Sequence, residues 1–334
     1  METEYQTNDA LARKIWHEQL YRESAKSAYF SRFMGKTEES IVQVKTDLEK
    51  APGHNVTFGI LMRLLGAGVT GDNTLEGNEE SLTTYDFNVT IDQLRHAVIS
   101  KGKMSEKRVL FSIPDNARTQ LKIWMTEQID QKCFNALDDT PTKIFYGGDA
   151  TSVTTGSGDI DATDVITPSL ISRVKTWAST GGNRSQPPLM PILYEGRKYY
   201  IMLVHPDVAY DLKNDTTYAQ AQREAQERGK DNPIFTGALG IWDKCVVHEH
   251  ENIPIVTNWA SGSNIAGARC QFMGAQALCW AWGMRPFVKE QEKDYGNKRG
   301  FATGMIYGVK KPKFNSKDFG AIGVYVARTK ISDV

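Results

Sequence analysis

The sequence contains no long apolar run and no export signal. No segment approaches the ~18 consecutive apolar residues that a membrane-spanning helix needs. The first ten residues, METEYQTNDA, are polar and acidic, whereas a secretion signal has a basic start and an apolar core. We therefore expect a chain that is made and kept soluble inside a cell, with no membrane partner.

Cysteines are few and have no paired spacing. The four are Cys133, Cys245, Cys270 and Cys279. None forms a CxxC motif, so neither a zinc site nor a disulfide framework is indicated. We predict four free thiols in a reducing cytoplasm.

Neither sign of charge is in excess. The chain has 40 Lys and Arg against 40 Asp and Glu, so its formal net charge is zero. Proteins dedicated to nucleic-acid binding usually carry a basic surplus, so the composition argues against that class. A neutral chain also meets little repulsion from other copies of itself, which leaves self-association unopposed.

The motifs of common catalytic sites are missing. There is no GxSxG sequence, and the glycine-rich residues 147–159 lack the Lys-Ser ending of a phosphate loop. The segment HEHE, residues 248–251, places His248 and His250 on one face of a strand, but a catalytic zinc site needs a third ligand. We expect no catalytic residue, cofactor or metal. A metal-dependent hydrolase using His248 and His250 is kept as an alternative.

What the sequence does contain is a long hairpin pattern over residues 54–100. Two segments alternate apolar and polar residues, which is typical of strands with one buried face. Their apolar residues are Val56, Phe58, Ile60, Met62 and Leu64, then Tyr85, Phe87, Val89 and Ile91. Each strand of about ten residues would span roughly 33 Å. Because a lone two-stranded ribbon is marginally stable, its apolar face needs cover from its own domain or from another copy.

The loop between these strands, residues 66–81, is acidic and rich in glycine. It has no Lys or Arg and carries Asp72, Glu76, Glu79 and Glu80. We interpret it as a tip that meets a basic surface.

Helical periodicity marks further elements. Residues 8–34 predict an amphipathic helix whose aromatic residues include Trp16, Tyr21 and Phe33. Such a helix packs either on its own core or on a neighbouring subunit. Residues 114–137 predict the longest helix, roughly 36 Å long. A helix over 168–179, a short helix after His205 and a strand over 241–250 are also expected, while glycines in the strand 301–310 predict close backbone approach.

Three strings of the carboxyl-terminal part carry a resemblance to a known family. They are YYIMLVHPDVAYDL, DNPIFTGALGIWDKCVVHEHENIP and MRPFVKEQEKDYGNKRGFATGMIYGVKKPKFNSKDFGAIGVYVAR. They resemble the major capsid proteins of tailed bacteriophages, in particular the family found in podoviruses of the coliphage N-four type. The resemblance extends through nearly the whole chain and is densest over residues 199–328.

The resemblance implies an α+β fold of the Hong Kong 97 type. It implies an N-terminal arm over residues 1–52 and an extended hairpin loop over 53–100. A peripheral domain over 101–164 and 266–334 would contain the spine helix 114–137, and an axial domain would occupy 165–265.

The function implied is that of a major capsid protein. Copies would form hexamers and pentamers and close into an icosahedral shell around packaged double-stranded DNA. A separate scaffolding protein, a portal, a decoration or cement protein and non-specific contact with DNA are implied as partners. The virion is the expected location, after assembly in the host cytoplasm. Some relatives crosslink subunits through Lys and Asn, but the loop tip here has no Lys, so noncovalent locking is expected.

Nine residues are predicted to lie between subunits. They are Trp16, Tyr21, Phe33, Phe58, Asp72, Glu76, Glu79, Glu80 and Phe87. A minor decoration or binding protein of the same virion is the second alternative function.

Overall fold

A computed structural model describes residues 29–49, 52–62, 64, 66–108, 113–153, 159–184, 187–194, 196–225, 238–260 and 264–330. Most of the predicted helix over residues 8–34, with Trp16 and Tyr21, lies outside these residues. The described α-helices are α1 (Lys103–Lys107), α2 (Ile113–Asp138), α3 (Pro168–Arg184), α4 (Pro206–Asn214) and α5 (Thr216–Ala225). Short 3-10 helices occur at Phe30–Phe33 and Asp47–Glu49.

Strands make up most of the remaining structure. Those before α3 are β1 (Met34–Gly35), β2 (Val42–Lys45), β3 (Asn55–Leu61), β4 (Thr84–Thr90), β5 (Asp92–Ile99) and β6 (Ile144–Tyr146). Those up to residue 273 are β7 (Ile192–Tyr194), β8 (Arg197–Val204), β9 (Ala238–Trp242), β10 (Cys245–Glu249), β11 (Ile255–Trp259) and β12 (Ile265–Met273). The last are β13 (Leu278–Lys293), β14 (Lys298–Lys310), β15 (Lys313–Phe314), β16 (Lys317–Asp318) and β17 (Ala321–Ala327).

The chain divides into two compact units. The described residues of the small unit lie within Leu94–Gln128 and Pro286–Met305, and those of the large unit lie within Tyr29–Gln93, Ile129–Arg285 and Ile306–Val334. The predicted division into arm, loop, peripheral and axial domains groups the residues differently and stays a prediction.

The large unit is built on a mixed sheet. Its described strands follow the order β6-β17-β12-β8-β10-β9, with β11 paired to β12 and β7 paired to β8. Strands β8 and β10 run parallel, while β12 and β17 are antiparallel over seven residue pairs. One face of the sheet is covered by α3 and α4 through apolar side chains that are almost fully buried, such as Val174, Met202, Val208, Val247 and Phe272. These side chains form the main hydrophobic core of the large unit.

The strand predicted over residues 241–250 is in fact the hairpin of β9 and β10. The backbone φ angles of Asp243 and Lys244 are 44° and 63°, and Cys245 pairs with Trp242. Two consecutive residues with positive φ are typical of a tight type I′ turn. The sequence prediction was wrong here because the two adjacent polar residues Asp243 and Lys244 interrupt the alternation and form the turn.

The helix predictions agree better with the structure. Helix α2 spans Ile113–Asp138, close to the predicted 114–137, and α3 continues beyond the predicted end at residue 179. Helix α4 begins after His205, whose Nδ1 accepts a hydrogen bond from the Asp207 backbone N–H at 3.2 Å. His205 thus caps the short helix that was predicted to follow it.

The carboxyl-terminal strands of the large unit hold a tightly packed interior. Trp280 is fully buried and stacks on Tyr307, with ring centroids 4.9 Å apart, as expected for a core aromatic. Gly308 lies so close to β4 that a Cβ atom there would be 2.4 Å from the Thr90 carbonyl oxygen. The predicted close backbone approach is therefore confirmed at Gly308.

A buried ion pair follows β14. The Lys311 Nζ lies 3.2 Å from the Asp318 Oδ2, and both side chains are almost completely buried. Lys311 also donates to the Leu137 carbonyl oxygen, while the Thr142 backbone N–H donates to Asp318. These bonds give each buried charge a partner, although the Asp318 Oδ1 has no hydrogen-bond partner among the described residues. Either charge alone would be costly to bury.

The small unit combines the first part of α2 with strands β5, β13 and β14. Ala117 and Leu121 of α2 pack on Phe301 of β14. Arg118 lies over the same phenyl ring, 5.2 Å from its centroid, and pairs with Glu290. No described helix of either unit has an apolar stretch long enough to cross a membrane.

Candidate functional site

The base of the predicted hairpin is formed by β3 and β4. The two strands pair antiparallel from Asn55↔Thr90 to Leu61↔Thr84, with Phe58 directly opposite Phe87. Each strand has seven residues, which is shorter than the ten predicted.

The apolar face of this base is covered by the chain's own residues. Phe58 and Phe87 are 4% and 8% exposed, and they share a core with Cys279 and Ala281 of β13. Lys45 adds a cation over the Phe58 ring, with Nζ 4.6 Å from its centroid. Of the two kinds of cover considered for this face, the chain's own residues supply it. The prediction that Phe58 and Phe87 lie between subunits is therefore corrected, because β13 buries them within one chain.

The tip of the hairpin projects from this base with little cover. Every residue over 70–84 is exposed, including Asp72 and Glu76. The other two carboxylates also hold the backbone of the tip, since the Gly66 N–H donates to Glu80 at 2.6 Å and the Gly77 N–H donates to Glu79 at 2.7 Å. Three exposed leucines accompany the charges: Leu64, Leu75 and Leu82. The tip thus combines negative charge with apolar side chains that are exposed to solvent.

The small unit has the opposite charge balance. Residues 94–128 and 286–305 contain eleven Lys and Arg against six Asp and Glu. Several of the cations, among them Lys103, Lys107, Lys289 and Lys293, are exposed. A surface of this kind attracts carboxylates, and the attraction weakens as salt is added.

The start of the described chain is anchored on the large unit. The backbone N–H groups of Tyr29 and Phe30 donate to the two carboxylate oxygens of Asp130, at 2.6 and 3.0 Å. Phe30 is fully buried and packs edge-on against Phe134 at a centroid distance of 4.9 Å. Burial raises the pKa of the Asp130 carboxyl, and the two backbone hydrogen bonds oppose that rise. The predicted N-terminal helix was expected to pack either on its own core or on a neighbouring subunit. Tyr29 and Phe30 pack on the core of their own chain.

His248 and His250 lie against this anchored segment. The ring of Tyr29 is 5.6 Å from His248 and 5.3 Å from His250 between centroids. Burial, with a smaller contribution from Arg32, lowers the pKa of His248 to about 4. Within the described ranges, no group of three or more His, Cys, Asp or Glu side chains is placed to hold a metal ion. The pair is therefore part of an aromatic packing layer, and the metal-site alternative receives no geometric support.

A groove of about 390 Å³ lies beside this layer. One side is formed by Arg32, Phe33, Met34 and Ile41, and the other by strands β7, β8 and β10. The contributing strand residues are Ile192, Leu193, Tyr194, Tyr199, Ile201, Val246 and His248. The predicted inter-subunit residue Phe33 is thus half-buried, at the groove wall.

Sequence reasoning missed the groove and the Asp130 anchor. Both depend on contacts between segments that are about 100 residues or more apart. Sequence periodicity indicates local structure only, so it does not predict such contacts. The alternation of β10 did indicate that His248 shares a face with Val246, which is the only local signal of the groove. The four cysteines are free, as predicted, and all four are buried.

Comparison with known proteins shows which family has this architecture. The family model described as phage capsid protein matches residues 4–143 and 140–329. The major capsid protein of Pseudomonas phage KPP25 is 29% identical, with 94% of each chain covered. The capsid of Ralstonia phage GP4 matches with a TM-score of 0.86 and 30% identity over 100% of both chains.

A more distant structure shows the same fold. The head structure of Helicobacter pylori bacteriophage KHP40 matches with a TM-score of 0.79 at 17% identity, covering 98% of this chain and 99% of the other. The predicted resemblance and the predicted α+β fold of the Hong Kong 97 type are both confirmed.

Proposed function

Since this chain belongs to the phage capsid protein family, we propose that it serves as the major capsid protein of its virion. Many copies form hexamers and pentamers, which close into an icosahedral shell around packaged double-stranded DNA. The observation that carries this proposal is the match to a capsid subunit over the full length of both chains, at a TM-score of 0.86. A structural shell protein has no need of a catalytic site, which agrees with the aromatic surroundings of His248 and His250.

For this function, the hairpin tip contacts a second copy of the chain. Its carboxylates Asp72, Glu76, Glu79 and Glu80 meet the exposed Lys and Arg of the small unit of a neighbour. The exposed leucines of the tip are buried by the same contact. Opposite charges on the two surfaces and the exposed apolar side chains support this pairing.

The N-terminal segment is the second arm of the proposed assembly. Trp16 and Tyr21 contact a neighbouring subunit, while the segment stays anchored to its own chain by Tyr29 and Phe30. Contacts made by arms of this kind bury about 2,000 Å² or more in obligate assemblies. Phe33, at the end of the anchored turn, extends the same interface.

Other virion components complete the proposal. A separate scaffolding protein guides assembly in the host cytoplasm, a portal occupies one vertex, and a cement protein reinforces the outer surface. The neutral net charge suits contact with DNA that is non-specific and weak, because each additional phosphate contact adds affinity. The domain boundaries at residues 52, 100, 164 and 265 belong to this proposal as well.

Electron microscopy of the purified chain, alone and with its scaffolding protein, tests the proposal. We expect closed particles of uniform diameter in which this chain is the main protein by mass. A chain that stays monomeric under all assembly conditions, and that no particle contains, would refute it. A low copy number in purified virions would instead favour a minor decoration protein.

A further inference from the structure

Helix α3 and strand β6 of the large unit line a second groove, which we call the α3 groove. Its volume is about 630 Å³, within the ~300–1,000 Å³ range of small-molecule sites. Its lining includes Arg173, Thr176, Trp177 and Thr180 of α3, together with Phe145 of β6. The four helix residues are spaced by three, four and seven positions from the first, so they project from one side of the helix.

Two aromatic rings form part of the α3 groove. The rings of Phe145 and Trp177 meet edge to face at an angle of 70°, with centroids 5.7 Å apart. Gly182 also belongs to the lining and has a φ angle of 61°, and a Cβ atom there would lie 2.5 Å from the Trp177 Nε1. Glycine therefore leaves room beside the indole that any larger residue would fill. Such rings offer flat apolar surface to a ring-shaped ligand.

The charge in the α3 groove is positive and held in one orientation. The exposed Arg173 donates from Nη2 to the Tyr146 carbonyl oxygen at 2.8 Å, and its guanidinium lies 5.9 Å from the centroid of Phe145. The Lys143 ammonium, 4.6 Å from the centroid of Trp177, adds a second cation beside the rings. Among the described residues that line the groove there is no Asp or Glu. A guanidinium fixed in this way presents its remaining N–H donors to an anion, and its planar fork matches a carboxylate.

Hydroxyl groups complete the lining. The Ser172 Oγ accepts a hydrogen bond from the Trp242 Nε1 at 2.9 Å, so its own O–H remains a donor. The Thr180 Oγ1 donates to the Thr176 carbonyl oxygen at 3.0 Å, so its lone pairs remain acceptors. The groove thus offers a donor and an acceptor besides the guanidinium, which suits a ligand whose own hydroxyls both donate and accept.

We propose that the α3 groove binds an acidic saccharide, a short chain of uronic acid units. The carboxylate of one unit pairs with Arg173, the C–H face of a pyranose ring packs on Trp177, and ring hydroxyls bond to Ser172 and Thr180. A nucleic acid fits less well, because its backbone is followed by a row of cations, and Arg173 is the only cation among the described lining residues. The site does not depend on the proposed shell, since all of its residues belong to one unit of one chain.

Fluorine NMR of the full-length, unassembled chain labelled with 5-fluorotryptophan tests the site. The Trp177 resonance is assigned by its loss in Trp177→Phe. We expect trigalacturonate to shift this resonance with a dissociation constant of roughly 1 mM, because an open groove gains little beyond the entropy lost on binding. The neutral sugar maltotriose and the ring-free anion tripolyphosphate should shift it far less. No saturable shift up to about 20 mM trigalacturonate, or an equal shift with either comparison compound, would overturn the proposal.

Substitution of two exposed cations separates the groove from general surface charge. Arg173→Gln removes the guanidinium and should raise the dissociation constant for trigalacturonate about tenfold, as for a lost charge-assisted hydrogen bond. The matched control is Lys198→Gln, which removes an exposed cation of the same unit outside the groove and should change the constant by less than about twofold. An equal loss in both variants, or no loss in Arg173→Gln, would contradict the proposed site. Failure of the chain to form particles would refute the shell and leave this site unaffected.

Discussion

The prediction that most sharply separates folding from assembly concerns Phe58. Its ring is 96% buried against Cys279 and Ala281, so Phe58→Ala removes a core contact of the single chain. A buried phenyl ring covers ~150 Å² or more, which at ~25 cal/mol per Å² amounts to ~4 kcal/mol. Large-to-small core substitutions of phenylalanine cost about 3–5 kcal/mol once the cavity is included. We therefore expect Phe58→Ala to lower the free energy of unfolding of unassembled subunits by about 4 kcal/mol.

Urea unfolding followed by tryptophan fluorescence measures this loss. The matched control is Leu75→Ala, because Leu75 lies at the tip and is 62% exposed. It should change the free energy of unfolding by less than about 0.5 kcal/mol. Deletion of residues 69–80 should likewise leave the subunit folded but impair closure of particles in electron microscopy. If Phe58→Ala cost less than about 1 kcal/mol at an unchanged urea dependence, β13 would not be what anchors the hairpin.

Four further predictions follow from other parts of the structure. Burial lowers the pKa of His248 from its ordinary 6.5 to about 4, so as the pH falls the unfolded chain binds a proton at this residue before the folded chain does. The free energy of unfolding should therefore fall by about 3 kcal/mol between about pH 6.5 and 4. His248→Phe should flatten that dependence in a pH series of urea midpoints, and an unchanged slope would contradict the prediction. Lys311→Met leaves the Asp318 carboxylate buried without its cation and should cost about 3–5 kcal/mol in the same assay, whereas a loss below about 1 kcal/mol would mean that the pair is solvated. Gly308→Ala brings a methyl group within 2.4 Å of the Thr90 carbonyl oxygen and should lower the free energy of unfolding by about 1–3 kcal/mol; no change in the melting temperature would mean that β4 moves freely. Raising the salt concentration should lower the melting temperature of particles more than that of free subunits, because the proposed charge pairing of the hairpin tip is between copies.

The sequence allowed the local elements of the fold to be predicted where one period runs without interruption. Helix α2 was placed within one residue at each end, and alternation put Phe58 and Phe87 on the apolar faces of the two strands that pair. The fold type itself came from the resemblance, since periodicity alone does not determine how the elements connect.

The parts that could not be predicted are those set by distant residues. The cover of the hairpin comes from Cys279 and Ala281, about 190 residues beyond β4 in the sequence, so its origin in the same chain was not visible. The turn between β9 and β10 was missed although its two adjacent polar residues, Asp243 and Lys244, interrupt the alternation. His248 was considered as a ligand because its aromatic neighbours are adjacent only in the folded chain.

The candidate contact residues also divide into those that local sequence indicates and those that depend on distant residues. The exposed tip carboxylates were recognisable from local composition, because an acidic, glycine-rich stretch without Lys or Arg has no core to join. The predicted role of Phe58 and Phe87 between subunits required knowledge of what covers them, and the structure shows that their own chain does.

A single-particle reconstruction of particles assembled from the purified chain tests the central claim most directly. We predict a closed icosahedral shell of hexamers and pentamers in which the carboxylates of each hairpin tip lie within about 4 Å of Lys or Arg side chains on a neighbouring copy. A reconstruction without icosahedral symmetry, or one in which the tips project into solvent away from every neighbour, would contradict the account.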